Sequence, residues 1–355
     1  MTNDIVLQLD PTGNNPRNSE GSFLTLSDGR IMFAYTHFVG DDGGDNAPAH
    51  IAVRYSNDDG KSWDDSDQIL VTNQGDMNVM SVSLLRLNDG RALLGYLIKH
   101  GWHDCRVRIS ITADDAESWS DPILAIAAPG YFVVNNDRMI QLSSGRLVVP
   151  ASFHRMKAES RSEWSTMDSR GVLFFYLSDD CGETWTEAET WWALPEHSSA
   201  GIQEPGVIEL KDERLFSWLR TSTGRQWASC SSDQGQTWSQ PEPTEFHSPT
   251  SPMSVKRLPS GDLLAVWNDH SGRFPHPDNS EQRTPLVSAI SSDDGATWGH
   301  HRALEDDPDA GYCYTAIHML DDAVLLAYCA GSAEETGGIL NRLRVRRIGV
   351  DWFYG

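Results

Sequence analysis

Six repeated strand signals in this chain carry mostly polar residues at one shared register. Counting back six positions from Leu26, Leu87, Leu142, Leu210, Leu258 and Leu320 gives Glu20, Ser81, Asn136, Glu204, Pro252 and Tyr314. Each leucine precedes a tight-turn signal, so these six positions open strands, where a packed core favours apolar side chains. Polar groups converging on one end of a channel make a site. Two carboxyls and a phenol among them are groups that move protons.

The elements that must hold these residues are legible as two interleaved repeats. The first is a strand, a DG-type turn and a second strand. It occurs as FLTLSDGRIMFAY, SLLRLNDGRALLGYL, RMIQLSSGRLVVPAS, VIELKDERLFSWLR, VKRLPSGDLLAVW and IHMLDDAVLLAYC. The second is Ser/Thr-x-Asp-x-Gly-x-Ser/Thr-Trp. It occurs as SNDDGKSW, TADDAESW, SDDCGETW, SSDQGQTW and SSDDGATW, with Ala116 replacing glycine in the second copy. Asp bonds its own backbone, Gly supplies a positive φ, and Trp fills the space beneath the turn. Successive tryptophans lie 56, 66, 53 and 60 residues apart. Six units of about four strands predict an all-β, six-bladed propeller forming one domain. The blades are expected near 18–66, 78–122, 133–188, 202–241, 252–301 and 312–355, with residues 4–9 closing the last.

These turn motifs are Asp boxes, and over about its full length the chain resembles the sialidase (neuraminidase) superfamily, in its BNR-repeat branch. Asp boxes sit on the rim of such folds and are structural, so activity has to be argued from other residues. EPGVIELKDERLFSWLR resembles the segment that carries the catalytic Glu and, sixteen residues on, a carboxylate-binding Arg, which here are Glu204 and Arg220. YTAIHML resembles the segment opening on the nucleophilic Tyr. That places it at Tyr314, with Tyr312 as the nearby competitor. QRTPLVSAISSDDGATW resembles the stretch with a further carboxylate-binding Arg, here Arg283, and DNAPAHIAVRYS the loop with the acid/base Asp, here Asp45, with Asp41 and Asp42 as alternatives.

The resemblance implies a retaining exo-glycosidase that releases a terminal acidic sugar, sialic acid or a relative, through a tyrosyl-enzyme intermediate. The chemistry is coherent. The anomeric carbon of a sialic acid bears a carboxylate, so a neutral phenol avoids the like charge that a carboxylate nucleophile would meet. Arginines grip that carboxylate through bidentate, charge-assisted bonds.

One departure stands out. The Arg-Ile-Pro motif that usually opens the first blade aligns here with Ser19, followed by Glu20. Arg17, two residues earlier, faces the same side by strand alternation. Arg138 in NNDRMIQL is the other candidate, either replacing the missing Arg or pairing with Glu20. Asn78, Asn135 and Asn136 are candidates for binding sugar hydroxyls. His37, His100 and His154 follow the second strands of blades one to three and read either as pocket residues or as solvated loop residues. The departure motivates two alternatives: a hydrolase or lyase acting on a uronic-acid-containing polysaccharide, and a non-catalytic glycan-binding propeller.

Composition narrows the partners. The 355 residues carry 28 Lys plus Arg against 51 Asp plus Glu, for a formal net charge of −23. That balance disfavours nucleic acid and anionic membrane surfaces, and no run of 18 apolar residues spans a bilayer. The five cysteines form no CxxC pair, so they are expected as free, mostly buried thiols. No metal or cofactor is expected. MTNDIVLQLD lacks the features of a signal peptide, which makes a cytoplasmic location the expectation.

Overall fold

A computed structural model describes residues 2–159, 163–194, 197–277 and 281–355. Its strands form four-stranded antiparallel units ordered from the inside outwards as they occur in the chain. The first unit runs Asn18–Thr25, Ile31–Phe38, Ala49–Ser56, Gln68–Val71, and the fourth and fifth repeat that meander. In the last unit the N-terminal strand Asn3–Leu9 pairs with Leu343–Gly349, so the two ends of the chain share one sheet. The second and third units are joined into a nine-stranded sheet through one parallel pairing, Tyr131 with Cys105.

Apolar packing explains why these units need one another. Each large core cluster straddles two consecutive units: Phe33 and Tyr35 of the first, for example, pack with Leu325 and Val345 of the last. Leu93 and Val107 pack with Val149, and Leu177 and Phe175 with Leu215 and Trp238. A single meander has two apolar faces and cannot bury both, so the stack closes only as a ring. The first strand of each unit lies innermost, and that of the last unit, Ala310–Met319, contacts Asn18–Thr25 of the first. The fold is thus the β-propeller that the two repeats predict.

The Asp boxes clamp the outer turns. In the fourth unit, Asp233 Oδ1 accepts the Thr237 N–H at 2.9 Å and the Ser231 hydroxyl at 2.8 Å. Trp238 donates to the Gly235 carbonyl at 2.9 Å and stacks on Phe175 of the preceding unit with ring centroids 3.7 Å apart. The box is therefore a rivet between neighbouring blades.

The inner strand of the third unit departs from expectation. It is broken into Tyr131–Val133 and Ile140–Gln141. The intervening polar run turns inward and crosses the channel. Asp137 accepts the Ile317 N–H at 3.0 Å and pairs with Lys256 at 3.2 Å, tying the third unit to the fifth and sixth.

Candidate active site

Four of the six positions singled out by register share one backbone device. Glu20, Ser81, Glu204 and Tyr314 have φ of 56°, 58°, 44° and 61°. Each sits where strand pairing shifts register: between Ser19 and Ser22, Met80 and Ser83, Gln203 and Gly206, and Cys313 and Ala316. These are bulges, which leave one residue unpaired and re-aim its side chain. Left-handed backbone at a non-glycine residue costs roughly 1–3 kcal/mol and gathers where function demands it. Here it turns four side chains from four blades into one cavity of about 230 Å3.

One wall of that cavity is a linked chain of catalytic residue types. The Tyr314 hydroxyl donates to Glu204 Oε1 at 3.0 Å. The other carboxylate oxygen, Oε2, pairs with Arg220 Nη1 at 2.5 Å. Arg220 ends the strand Leu215–Arg220 and is the register partner of Gln203, which places its guanidinium beside Glu204. The Arg283 guanidinium lies over the Tyr314 ring, 5.4 Å from its centroid, and Nη1 donates to Cys313 Sγ at 3.1 Å. Burial would raise the Glu204 carboxyl, but Arg220 and Arg283 hold it below its usual range. Burial and the adjacent Glu204 charge hold the Tyr314 phenol protonated, far above its usual range. The resting pair is therefore an ionised carboxylate and a neutral phenol, the arrangement a base-assisted nucleophile requires.

A second polar wall comes from blades one and two. Arg17 is buried and bridges two carboxyls, with Nη1 to Asp45 at 2.6 Å and Nη2 to Glu20 at 3.3 Å. Ser81 donates its hydroxyl to Glu20 Oε2 at 2.5 Å. Burial raises the Glu20 carboxyl, and Arg17 only partly offsets it, so it stands at about 7. The Arg17 guanidinium beside it holds the Asp45 carboxyl below its usual range.

Asp45, Glu204, Tyr314, Arg220, Arg283 and Glu20 thus all line one cavity. Arg17, Arg138 and Asn136 do not. Arg17 stands behind the lining, on the carboxyls it bridges. Arg138 neither replaces an arginine of the pocket nor pairs with Glu20. Its guanidinium donates to Ser254 Oγ at 3.0 Å and to the Met253 carbonyl at 2.7 Å, and lies over Trp218. Asn136 is also consumed, its amide nitrogen bonding the carbonyls of Gly21 at 2.8 Å and Tyr314 at 3.2 Å. Both belong to the polar plug that braces the channel. Asn78 is likewise occupied, holding the carbonyls of Asp45 and Ala47. Of the histidines, His154 lines the cavity, whereas His37 stacks on His50 and His100 lines a separate groove with Asp76.

Several lining residues carry no signal of spacing. Lys99 is fully buried, donates to the Asp45 carbonyl at 3.0 Å, and lies over the rings of Trp102 and Tyr131. Burial lowers its ammonium from the usual range. Asn135, one of the three asparagines expected to bind sugar hydroxyls, does line the cavity, with its side-chain nitrogen unpartnered. Met80, Leu97, Tyr131, Val133 and Met167 supply an apolar flank.

Comparisons with known proteins place this geometry in context. Over 231 residues the chain is 25% identical to the anhydrosialidase of Macrobdella decora, covering 59% of this chain and 27% of that protein, so it spans about a quarter of the relative's length. Its structure superposes on the leech intramolecular trans-sialidase complexed with 2,7-anhydro-Neu5Ac with a TM-score of 0.73 at 14% identity, covering 99% of this chain and 71% of that one. A protein of unknown function from Dyadobacter fermentans gives a TM-score of 0.71 at 17% identity, covering 98% of this chain and 99% of that one. At these identities the structural likeness is one of fold. Residues 97–326, well over half of the chain, match the BNR repeat-like domain, and the chain belongs to that family.

Proposed function

We propose that this protein is a retaining exo-glycosidase of the sialidase type that releases a terminal acidic sugar, sialic acid or a close relative. The observation that carries the reading is the chain Tyr314–Glu204–Arg220, with Arg283 over the phenol. Glu204 takes the phenolic proton as the Tyr314 oxygen attacks the anomeric carbon. Its ionised resting state and its direct hydrogen bond to the phenol suit that role. Arg220 and Arg283 receive the substrate carboxylate, and fixing that group orients the sugar for attack.

The carboxyl pair Asp45 and Glu20, bridged by Arg17, faces the departing oxygen. It supplies the acid for glycosyl transfer and the base that activates water, Asp45 being the residue the family resemblance assigns. The free side-chain nitrogen of Asn135 suits a sugar hydroxyl. The relatives support the substrate class: one is an anhydrosialidase, and another is a trans-sialidase with a sialic acid derivative in its structure.

A panel of chromogenic sialosides and uronides, with product analysis by mass spectrometry, tests the reading. Release of a free acidic sugar is the expected result. An unsaturated product absorbing in the near ultraviolet replaces hydrolysis with β-elimination, and saturable binding without product replaces the enzyme with a glycan-binding propeller.

A further inference from the structure

We infer that Glu20, not Asp45, is the residue that carries the catalytic proton to the leaving oxygen; the inference rests on the glycosidase reading above. The two carboxyls share one guanidinium unequally. Asp45 takes the short contact at 2.6 Å, while Glu20 has the long one at 3.3 Å. Asp45 is also more than half exposed, with 57% of its side chain accessible against 5% for Glu20. One guanidinium neutralises one carboxylate. An exposed carboxylate at the closer contact stays ionised, and a buried carboxyl left with the poorer contact holds its proton.

The rest of the Glu20 environment agrees. Its second oxygen meets the Ser81 hydroxyl at 2.5 Å, a neutral partner. The charged and titratable groups around it are Arg17 and Asp45 of its own blade, Lys99 and Cys105 of the second, Tyr131 of the third, Glu204 of the fourth and Cys329 of the sixth. Among the described residues, Arg17 is the one cation that bonds it. The bulge at Glu20 is built like those at Glu204 and Tyr314, so its side chain is aimed into the cavity by backbone and not by a loop. In a six-unit ring the first and fourth blades lie opposite one another. The base Glu204 and the acid Glu20 thus stand across the cavity from each other.

The step balances. Tyr314 oxygen bonds the anomeric carbon, and its proton passes to Glu204. The bond from the anomeric carbon to the glycosidic oxygen breaks, the electron pair leaves with that oxygen, and the Glu20 proton makes it an alcohol. Glu20 carboxylate then takes a proton from water as the water oxygen attacks the anomeric carbon. The Tyr314 oxygen departs and recovers its proton from Glu204.

The test compares Glu20→Gln and Asp45→Asn on two sialosides, one with an activated aryl leaving group and one with an alkyl leaving group, using kcat/KM because it reports glycosyl transfer to the enzyme. General acid catalysis contributes about 10²–10⁴-fold. E20Q is expected to lose about 10³-fold on the alkyl glycoside and less than about tenfold on the aryl one, while D45N lowers both alike. The wild-type protein gives an independent reading: kcat/KM on the alkyl glycoside falls as pH rises through about 7, with no such limb on the aryl glycoside. Equal losses for E20Q on both substrates, a leaving-group gap in D45N, or a wild-type profile lacking the limb overturns the assignment. Wild-type protein inactive on every sialoside instead removes the glycosidase reading, and the assignment with it.

Discussion

Tyr314 and Glu204 meet at 3.0 Å across 110 residues of sequence because each occupies the left-handed residue of a bulge at the same register of its own inner strand. The contact is thus a property of the propeller as a whole. The two blades that carry it are not consecutive: the fifth lies between them. Its inner strand, Ser254–Arg257, is short and preceded by Pro252, and the residue of that blade that reaches the phenol is Arg283, from the segment that leads into its third strand.

Removing either partner should therefore abolish turnover without unfolding the ring. Tyr314→Phe keeps the ring beneath Arg283 and deletes only the nucleophilic oxygen. Glu204→Gln keeps the shape and deletes the base. Both should lose at least about 10³-fold in kcat, with Tyr314→Phe melting near the wild-type temperature and Glu204→Gln still folded. Glu204→Gln is the less stable of the two because it leaves the buried Arg220 without its carboxylate. Kinetics on a sialoside together with calorimetry check this, and wild-type-like rates in both variants remove the tyrosyl mechanism.

Arg283 should act mainly on substrate affinity. Its guanidinium bonds a thiol and faces a ring, so its charge is not spent on a carboxylate as that of Arg220 is. Arg283→Lys retains the charge and loses the planar fork. With a charge-assisted hydrogen bond worth roughly 1.5–3 kcal/mol, KM should rise by about 10–100-fold with a smaller change in kcat. A change confined to kcat counts against the anion-binding role.

Regular spacing marked Glu20, Ser81, Glu204 and Tyr314, while Arg220, Arg283 and Asp45 came from the resemblance of their segments to the sialidase family. Glu204 and Tyr314 lie a fixed number of residues before a turn, and in an unbroken strand that number sets the height in the channel. The third blade defeats the same count. Its inner strand is interrupted, the left-handed residue is Asp137 with φ 55°, and counting back from Leu142 lands on Asn136. A one-residue shift sends side chains to the other face, which is why Asn136 and Arg138 read as pocket residues and prove to brace the channel. Lys99 was hidden for a different reason. It ends the apolar strand ALLGYLIKHG, where a lysine looks like an ordinary exposed terminus, and the rings that cover it come from Trp102 and Tyr131, outside that strand.

The bracing role of Arg138 separates stability from affinity. Arg138→Met removes two hydrogen bonds from a buried guanidinium, which should destabilise the fold by about 2 kcal/mol. No wall of the cavity is touched, so KM should stay within about twofold of wild type, given that a direct carboxylate contact would be worth far more. A KM rise of tenfold would return Arg138 to the pocket.

Glu20 should leave a signature in stability as well as in catalysis. Its carboxyl rises from 4.5 to about 7 on folding because burial disfavours the charge. The folded state therefore binds this proton more tightly than the unfolded chain. The stability it contributes is full below pH 4.5 and is lost as pH rises through about 7, by roughly 3 kcal/mol in all. Glu20→Gln, neutral throughout, should be more stable relative to wild type at pH 8 than at pH 5. Denaturant titrations at the two pH values check the sign, and a difference that does not change with pH refutes the raised carboxyl.

The last prediction concerns the one Asp box without its glycine. Ala116 has φ 72°, close to the 74° of Gly60 and below the 92°, 85° and 92° of Gly182, Gly235 and Gly295. The turn nevertheless forms: Thr112 Oγ1 accepts the Ala116 N–H at 3.1 Å, as Ser56 Oγ accepts that of Gly60 at 2.9 Å. The fold thus imposes a left-handed alanine, at a cost of about 1–2 kcal/mol. Ala116→Gly relieves that strain but adds roughly 0.4–1 kcal/mol of unfolded-chain entropy. The strain is the larger of the two, so the variant should gain about 0.5–1 kcal/mol and melt higher, with kinetics unchanged because the box is a rivet on the rim. A lower melting temperature would mean that the Ala116 methyl, which packs against the core between blades one and two, is worth more than the strain it brings.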